Sequence, residues 1–165
     1  TAFAALKSDG SVVTWGSVSQ GGSSRRVASY LSSGVTAIYA TDYAFAALKS
    51  DGSVVTWGDR DYGAFDMRQG PLATAPDLSS GVTAIYSTDS AFAALKSDGS
   101  VVTWGNPSEG GRLTHKLAAE LSGGVTAIYS TSKAFAAVKS NGRIVTWGSA
   151  NHGGDSRAVA SKFRN

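Results

Sequence analysis

The chain has 165 residues, of which 42% are hydrophobic and 16% are charged, with a net charge of +3 and no cysteine. The lack of cysteine excludes disulfides and Cys-ligated zinc sites. No run of like charges typical of a nucleic-acid-binding tail is present, and no apolar stretch reaches the ~18 residues of a membrane-spanning helix. Composition therefore predicts a folded protein without a membrane span, and it does not favour nucleic acid as a partner.

One 15-residue segment occurs four times along the chain. It has the sequence AFAALKSDGSVVTWG in three copies and AFAAVKSNGRIVTWG in the last; the copies occupy Ala2–Gly16, Ala44–Gly58, Ala91–Gly105 and Ala134–Gly148. Its two apolar stretches flank Asp-Gly or Asn-Gly. These pairs are typical of tight hairpin turns, because both central residues of a type I′ turn take positive φ. Each copy is predicted to form a two-stranded hairpin.

A second block, Gly-Val-Thr-Ala-Ile-Tyr, precedes three of the four hairpins. It begins at Gly34, Gly81 and Gly124. Its β-branched and aromatic residues predict a further strand. The spacing from its glycine to the hairpin tryptophan is 23 residues each time, whereas the steps from each tryptophan to the next such glycine are 19, 24 and 20 residues. A frame of fixed length and connectors of variable length predict a constant core with variable surface loops.

The first copy lacks the leading strand. We interpret the chain as a segment of a longer array; the alternative is a natural start with the missing strand supplied elsewhere. The whole chain is expected to be a single repeat array. Its predicted repeats are 1–33 (partial), 34–80, 81–123 and 124–165.

Both faces of the predicted strands are apolar. In the second copy Phe45 and Ala47 share one face, while Ala46 and Leu48 share the other. Because a strand that is apolar on both sides is covered on both sides, we expect neighbouring repeats to stack on each other. The tryptophans at the fixed hairpin position are interpreted as core residues: Trp15, Trp57, Trp104 and Trp147.

The connectors open with glycine-rich turns. Paired glycines mark three of them: Gly21–Gly22, Gly110–Gly111 and Gly153–Gly154. In the third connector, leucines at Leu113, Leu117 and Leu121 predict a short amphipathic helix with Gly123 as its cap. The second connector, Gly58–Ser80, is longer and contains two prolines. It is predicted to form an irregular protruding loop.

The combined pattern, Val-x-x-Ile…Ala-Leu-x-x-Asp-Gly-x-Val-x-x-Trp-Gly-x-x-x-x-Gly, resembles the repeat of the RCC1 family (regulator of chromosome condensation). The second repeat carries it at Val35, Ile38, Ala47, Leu48, Asp51, Gly52, Val54, Trp57, Gly58 and Gly63. The resemblance implies an all-β fold of propeller blades, usually seven to a ring, and a role in protein binding. Thr41 and Ala44 stand where the family usually has glycine and histidine. The family's nucleotide-exchange activity belongs to specific loops and is not carried over to this chain.

Four blades, the first of them incomplete, leave several arrangements open. The chain could form an open arc, part of a larger ring, a ring closed by a second chain, or a four-bladed ring. In each arrangement the connectors are expected to be short and helical or irregular.

Residues that could carry chemistry are few. His115 and His152 lie in non-equivalent connectors without the spacing of a catalytic triad. Asp59-Arg60-Asp61 lacks the rest of a calcium loop, and the paired glycines lack the Lys-Ser/Thr of a phosphate-binding loop. The sequence therefore predicts no enzyme activity, no cofactor and no metal site.

Two groups of residues are candidates for partner binding. The first is the lysine beside each hairpin turn: Lys7, Lys49, Lys96 and Lys139. A row of lysines could bind an acidic partner, or it could protect a sheet edge from aggregation. The second group lies in the second connector and has residue types that interfaces favour: Tyr62, Phe65, Met67 and Arg68.

The predicted function is a non-enzymatic protein-interaction or scaffold module. Its partner would be another protein or further repeats of a longer chain. The alternatives are a structural spacer of a larger surface or assembly protein, and a carbohydrate-binding propeller with one exposed aromatic site per repeat.

Overall fold

The chain folds into four antiparallel sheets that follow one another in sequence. The computed structural model describes residues 1–64 and 77–159. The first sheet has two strands and each of the others has three, which confirms the predicted all-β blades with an incomplete first one. Blade 1 contains β1 (Ala2–Leu6) and β2 (Val12–Gly16); blade 2 contains β3 (Val35–Ala40), β4 (Ala44–Lys49) and β5 (Val54–Gly58); blade 3 contains β6 (Val82–Ser87), β7 (Ala91–Lys96) and β8 (Val101–Gly105); blade 4 contains β9 (Val125–Ser130), β10 (Ala134–Lys139) and β11 (Ile144–Gly148).

Each hairpin has the register that its tight turn dictates. In blade 2, Phe45 pairs with Trp57, and the turn glycine Gly52 has a φ of 77°. Glycine adopts this conformation without the steric cost of a side chain. The Asp51 carboxylate accepts a hydrogen bond from the Ser53 N–H at 2.9 Å, which fixes the other half of the turn. In each complete blade the leading strand pairs with the first strand of the hairpin, which is therefore the central strand of the sheet.

Every blade has one face of large apolar side chains and one face of small ones. In blade 2 the large face carries Phe45, Val55 and Trp57, and it packs against blade 1 and the first connector. The small face includes Ala44 and Ala46, and it packs against the Phe and Trp of blade 3. Within the large face the Phe and Trp rings stack with centroids 5.3 Å apart. The predicted stacking of apolar faces is thus confirmed.

Blade 1 is the exception to the prediction that every hairpin tryptophan is a core residue. Trp15 is 50% exposed, whereas Trp57, Trp104 and Trp147 are 4%, 1% and 2% exposed. The prediction is wrong for Trp15, because in the described part of the chain no blade lies against the large face of blade 1.

Short helical turns form the connectors. A 3-10 turn follows each hairpin: Val18–Gln20, Arg60–Tyr62, Pro107–Glu109 and Ala150–His152. A further 3-10 turn spans Arg25–Val27. The predicted helix of the third connector is confirmed as α1 (His115–Glu120).

The cap predicted for α1 is wrong. The residue that ends the helix is the buried Leu121, whose N–H bonds to the carbonyl groups of Leu117 and Ala119, so Gly123 is not needed as a cap. Most of the loop predicted for the second connector lies outside the described residues. Within the described ranges, no helix is long and apolar enough to cross a bilayer.

Candidate protein-interaction surface

The 3-10 turn after each complete blade is fixed by a threonine of the same blade. The Thr41 hydroxyl accepts a hydrogen bond from the Ala44 N–H at 3.1 Å and donates one to the Tyr62 carbonyl at 3.0 Å. Thr88 and Thr131 make the same contact with the carbonyl groups 21 residues later, those of Glu109 and His152. The threonine thus anchors the same backbone position after each complete blade, and this position carries a different side chain each time: Tyr62, Glu109 or His152.

We call the surface formed by these turns the connector face. It comprises the turns Arg60–Tyr62, Pro107–Glu109 and Ala150–His152 and the adjoining loops 41–43, 88–90 and 131–133.

The loops of the connector face are joined across blades. The Asp42 N–H donates to the Asp89 carbonyl at 2.9 Å, and the Asp89 N–H donates to the Ser132 carbonyl at 2.8 Å. The Lys133 ammonium of blade 4 lies 3.3 Å from a carboxylate oxygen of Glu109, which follows blade 3. Because both main-chain and side-chain contacts cross the junctions, the connector face is one surface across blades 2 to 4.

Two tyrosines form the aromatic part of the connector face. The rings of Tyr43 and Tyr62 meet edge to face, with centroids 4.5 Å apart. Burial raises the pKa of the Tyr62 hydroxyl, and Tyr43 and the nearby carboxylates of Asp42, Asp59 and Glu109 raise it further. Tyr62 therefore keeps its proton at neutral pH and can donate a hydrogen bond. Edge-to-face aromatic pairs add to burial energy, so the ring is held in a defined orientation.

The other residues predicted to bind a partner in this connector are Phe65, Met67 and Arg68. All three lie outside the described residues.

A buried carboxylate occupies the equivalent place in blade 3, and sequence reasoning did not identify it. The Ser90 hydroxyl donates to the Glu109 carboxylate at 2.5 Å, and Lys133 pairs with the other oxygen of the same group. Buried charges are stable only when they are paired and hydrogen-bonded. A sequence signal for this residue was available. Glu109 lies immediately before the first connector glycine, and the equivalent position in the other two complete repeats holds a different residue, Tyr62 or His152.

The repeated lysines lie at the opposite end of the blades, beside the hairpin turns. The Lys49 ammonium donates to the Tyr30 carbonyl at 2.8 Å, and Tyr30 lies 19 residues earlier, near the end of the first connector. Lys96 with Asp77 and Lys139 with Glu120 make equivalent contacts. These three lysines tie the end of each connector to the blade that follows it.

Lys7 differs from the other three because no connector precedes it in the described chain. Its ammonium pairs with Asp9 at 2.9 Å. The Ser11 hydroxyl and then Lys7 hold the pKa of the Asp9 carboxyl well below its usual range. Binding of an acidic partner by the four lysines stays a prediction, and all four already have acceptors within the protein.

Two of the residues considered for chemistry, His152 and Asp59, have local structural partners. His152 Nδ1 lies 2.9 Å from the Ser149 hydroxyl, three residues earlier in the same exposed turn. The Asp59 carboxylate accepts from the Asp61 N–H at 2.9 Å and so caps its own 3-10 turn. In residues 1–64 and 77–159, no group of three His, Asp or Glu side chains is placed to hold a metal ion.

The fold of the chain is similar to that of solved structures. No protein-family model matches the chain, and no curated protein matches it. The crystal structure of Prp20p from Saccharomyces cerevisiae matches with a TM-score of 0.56 at 18% identity, over 89% of this chain and 43% of that one. The structure of Kap60 bound to yeast RCC1 (Prp20) gives a TM-score of 0.58 at 19% identity, over 89% and 41%. The chain has the RCC1 repeat fold.

The RCC1-like repeats predicted from the sequence are therefore confirmed as a fold. The structure of human WBSCR16 also matches, with a TM-score of 0.47 at 19% identity, over 89% of this chain and 45% of that one. The chain spans less than half the length of these structures. Its four RCC1-like blades form an unclosed array, in which the large face of blade 1 is open.

Proposed function

We propose that the chain is a non-enzymatic protein-interaction module that binds its partner through the connector face. The observation that carries this proposal is the position before the first connector glycine. It holds Tyr62, Glu109 and His152 in turn, on a frame whose hairpins are nearly identical. Recognition commonly lies on variable loops held by a rigid scaffold. Variation at a position anchored by a repeated threonine contact fits such a surface.

The chemistry of blade 2 indicates what kind of partner segment fits. The Tyr43–Tyr62 pair lies near three carboxylates, those of Asp42, Asp59 and Glu109. Tyrosines near carboxylates suit an arginine or lysine side chain, which can stack on a ring and pair with an acid. We propose a basic segment of a protein as the ligand of this part of the connector face.

The remaining residues of the second connector extend this proposal. Phe65, Met67 and Arg68 follow Tyr62 closely in sequence and have types enriched at binding hot spots. We propose that they contact the same partner as the tyrosine pair. The structures that this chain resembles support the general idea, because Prp20p was described with its binding to Gsp1p and histones, and yeast RCC1 was solved with Kap60 bound.

The carbohydrate-binding alternative receives less support. It requires an exposed aromatic ring in each repeat, whereas Trp57, Trp104 and Trp147 are buried. The spacer alternative requires only the stacked frame, and it predicts that substitutions on the connector face leave function unchanged.

Site-specific photo-crosslinking tests the proposal. A benzophenone amino acid would replace Tyr62, and the matched control would carry it at Asp51, in the exposed hairpin turn of the same blade. We expect the probe at position 62 to crosslink a partner protein and the probe at position 51 to crosslink none. Excess unlabelled chain should compete for this partner, and the Tyr43→Ala/Tyr62→Ala variant should compete at least tenfold more weakly while keeping its β circular dichroism.

Three results would contradict the proposal. Equal crosslinking from positions 51 and 62 would show that the contact is non-specific. Equal competition by the double variant would move binding away from the connector face and favour the spacer. Catalytic turnover by the isolated chain would overturn the non-enzymatic assignment.

A further inference from the structure

At the junctions between neighbouring blades, a connector glycine lies against the large face of the next blade. The Trp57 indole N–H donates to the Gly21 carbonyl at 3.0 Å, and the Trp147 indole N–H donates to the Gly110 carbonyl at 3.2 Å. Both tryptophans are buried, and a buried donor that is left unpaired destabilises the folded state. The blade 1–blade 2 and blade 3–blade 4 junctions therefore satisfy the tryptophan in the same way.

The blade 2–blade 3 junction lacks this hydrogen bond. Trp104 is 1% exposed, and within the described residues its indole N–H has no hydrogen-bond partner. The connector still comes close to the ring, because a side chain at Gly63 would lie 2.7 Å from the Phe92 ring and 3.3 Å from Cδ1 of Trp104. Gly63 thus keeps the close approach of Gly21 and Gly110, but its carbonyl does not accept the indole proton.

The residue after the connector glycine also differs at this junction. It is a second glycine in the other three connectors, whereas the second connector has Ala64. A Cβ atom at Gly22 or Gly111 would lie 2.4 or 2.3 Å from the carbonyl carbon of the glycine that ends the preceding hairpin, which is too close for any side chain. Ala64 carries such a Cβ atom and is buried. The backbone around Ala64 therefore has to shift relative to Gly58.

The backbone angles show this shift. Gly58, which ends the hairpin of blade 2, has a φ of 115°, whereas its three counterparts have φ values between 103° and 108°. Gly63 has a φ of 107°, against 91°, 97° and 100° for the glycines that begin the other connectors. Both glycines thus have the largest φ of their sets. Rotation at these two residues accommodates the Ala64 methyl group, and the hydrogen bond from Trp104 is lost.

We infer that Ala64 makes the blade 2–blade 3 junction a hinge, which opens more readily than it would with a second glycine in the connector. When this junction opens, water pairs with the Trp104 N–H, so opening satisfies a donor that is unpaired in the closed array. Opening of the blade 3–blade 4 junction breaks the bond from Trp147 instead. The cost of a buried unpaired donor corresponds to a change of about tenfold or more in the opening equilibrium.

The hinge lies inside the connector face. The main-chain bond from the Asp42 N–H to the Asp89 carbonyl, at 2.9 Å, crosses the same junction. The Tyr43–Tyr62 pair lies on its blade 2 side and Glu109 on its blade 3 side. Opening therefore changes the distance between the tyrosine pair and the carboxylate. The inference rests on the junction itself and does not depend on partner binding at the connector face.

Hydrogen exchange followed by NMR measures the opening of each junction. The Val82 N–H donates to the Gly52 carbonyl across the blade 2–blade 3 junction, and the Val125 N–H donates to the Gly99 carbonyl across the next junction, both at 2.9 Å. Both valines are preceded by glycine and followed by threonine. Their exchange rates in an unprotected chain are therefore the same, and the pair forms an internal reference.

The first variant is Ala64→Gly. We expect the Val82 and Trp104 N–H groups to exchange at least tenfold more slowly than in the unmodified chain, because the indole regains its acceptor. The Val125 N–H should exchange at an unchanged rate. Alanine-to-glycine replacement raises the conformational entropy of the unfolded chain, so a general loss of stability would change the rates in the opposite direction.

The reciprocal variant, Gly111→Ala, places a methyl group at the corresponding position of the blade 3–blade 4 junction. We expect the Val125 and Trp147 N–H groups to exchange at least tenfold faster, while the rate at Val82 is unchanged. Gly123→Ala is the matched control, because it adds the same group to the same connector at a position where the nearest heavy atom is 3.9 Å away. It should leave all these rates unchanged. Circular dichroism checks that each variant is folded.

Three results would overturn the inference. Unchanged exchange at Val82 and Trp104 in Ala64→Gly would show that Ala64 does not set the opening of the junction. Equal changes at Val82 and Val125 in that variant would show that the array opens as one unit, without a hinge. Unchanged exchange at Trp147 in folded Gly111→Ala would show that a methyl group at this position does not remove the indole bond. The Ala64→Gly result decides alone if Gly111→Ala does not fold.

Discussion

The hairpins of blade 1 and blade 2 have the same 15 residues and the same register, but they lie in different environments. Phe3 pairs with Trp15 as Phe45 pairs with Trp57, and the two ring stacks have the same centroid distance of 5.3 Å. Trp15 is nevertheless half exposed and Trp57 is buried. Local sequence therefore determines strand pairing and ring stacking, whereas the neighbouring blade determines burial. Most of the stabilisation of a repeat comes from its interfaces, as expected for a stacked array.

The largest expected difference between the two blades is the cost of removing the tryptophan. Trp57→Ala should lower the free energy of unfolding by about 3–5 kcal/mol, because it leaves a cavity in a packed junction. Trp15→Ala should cost less than about 1 kcal/mol, since exposed positions contribute little. Urea unfolding followed by circular dichroism measures the cost of each change. An equal loss of unfolding free energy for Trp15→Ala and Trp57→Ala would contradict the difference in burial between the two tryptophans.

The lysines allow a second comparison between the same two blades. Lys49→Met should lower the free energy of unfolding by about 1 kcal/mol, because it removes the charge-assisted bond to the Tyr30 carbonyl that holds the first connector. Lys7→Met removes only an exposed pair with Asp9 and should leave unfolding unchanged within error. The same urea titration measures both. A loss of stability at Lys7 as large as that at Lys49 would contradict a connector-holding role.

The smallest expected effect depends on pH and distinguishes blade 3 from blade 2. Asp77 stands where blade 2 has Tyr30, and its carboxylate adds an ion pair to Lys96 at 2.9 Å. The Ser79 hydroxyl and then Lys96 lower the pKa of Asp77 from 3.8 to about 2. A carboxyl whose pKa is lowered in the folded state stabilises the fold at pH values above its pKa in the unfolded state. This contribution is lost as the pH falls through the folded-state pKa.

Asp77→Asn should therefore reduce the loss of stability between pH 4 and pH 2. Because the carboxylate is exposed, the change should be small. The midpoint of urea unfolding at several pH values measures it, and parallel curves for the variant and the unmodified chain would show that the ion pair contributes nothing.

Sequence patterns sufficed for the parts of the fold that short segments determine. The Asp-Gly turns predicted the hairpins, the Gly-Val-Thr-Ala-Ile-Tyr blocks predicted the leading strands, and the combined motif predicted the RCC1 fold. The alternation of Phe45 and Ala46 also predicted the two buried faces, because alternate side chains of a strand point to opposite sides.

The remaining features depend on contacts between distant residues. Trp15 has the same local sequence as Trp57, so no local pattern could distinguish its exposure. The acceptor of Lys49 lies 19 residues away in a connector whose sequence varies. The burial of Glu109 depends on a serine in the adjoining loop and a lysine of the next blade. Candidate site residues were therefore predicted by type and position, but their partners were not.

The identity of the hairpins has a consequence for how the array assembles. Blades 1 to 3 carry the same hairpin sequence, so each of these hairpins brings the same side chains to a junction. The order of blades in space is then encoded by chain connectivity, through connector steps of 19, 24 and 20 residues. Exchange of a hairpin with that of a neighbouring molecule would keep the same hairpin side chains at the junction, and exchange of an identical element is the way in which domain swapping forms a dimer at low cost. The order of the blades therefore depends on the variable connectors and not on the nearly identical hairpins.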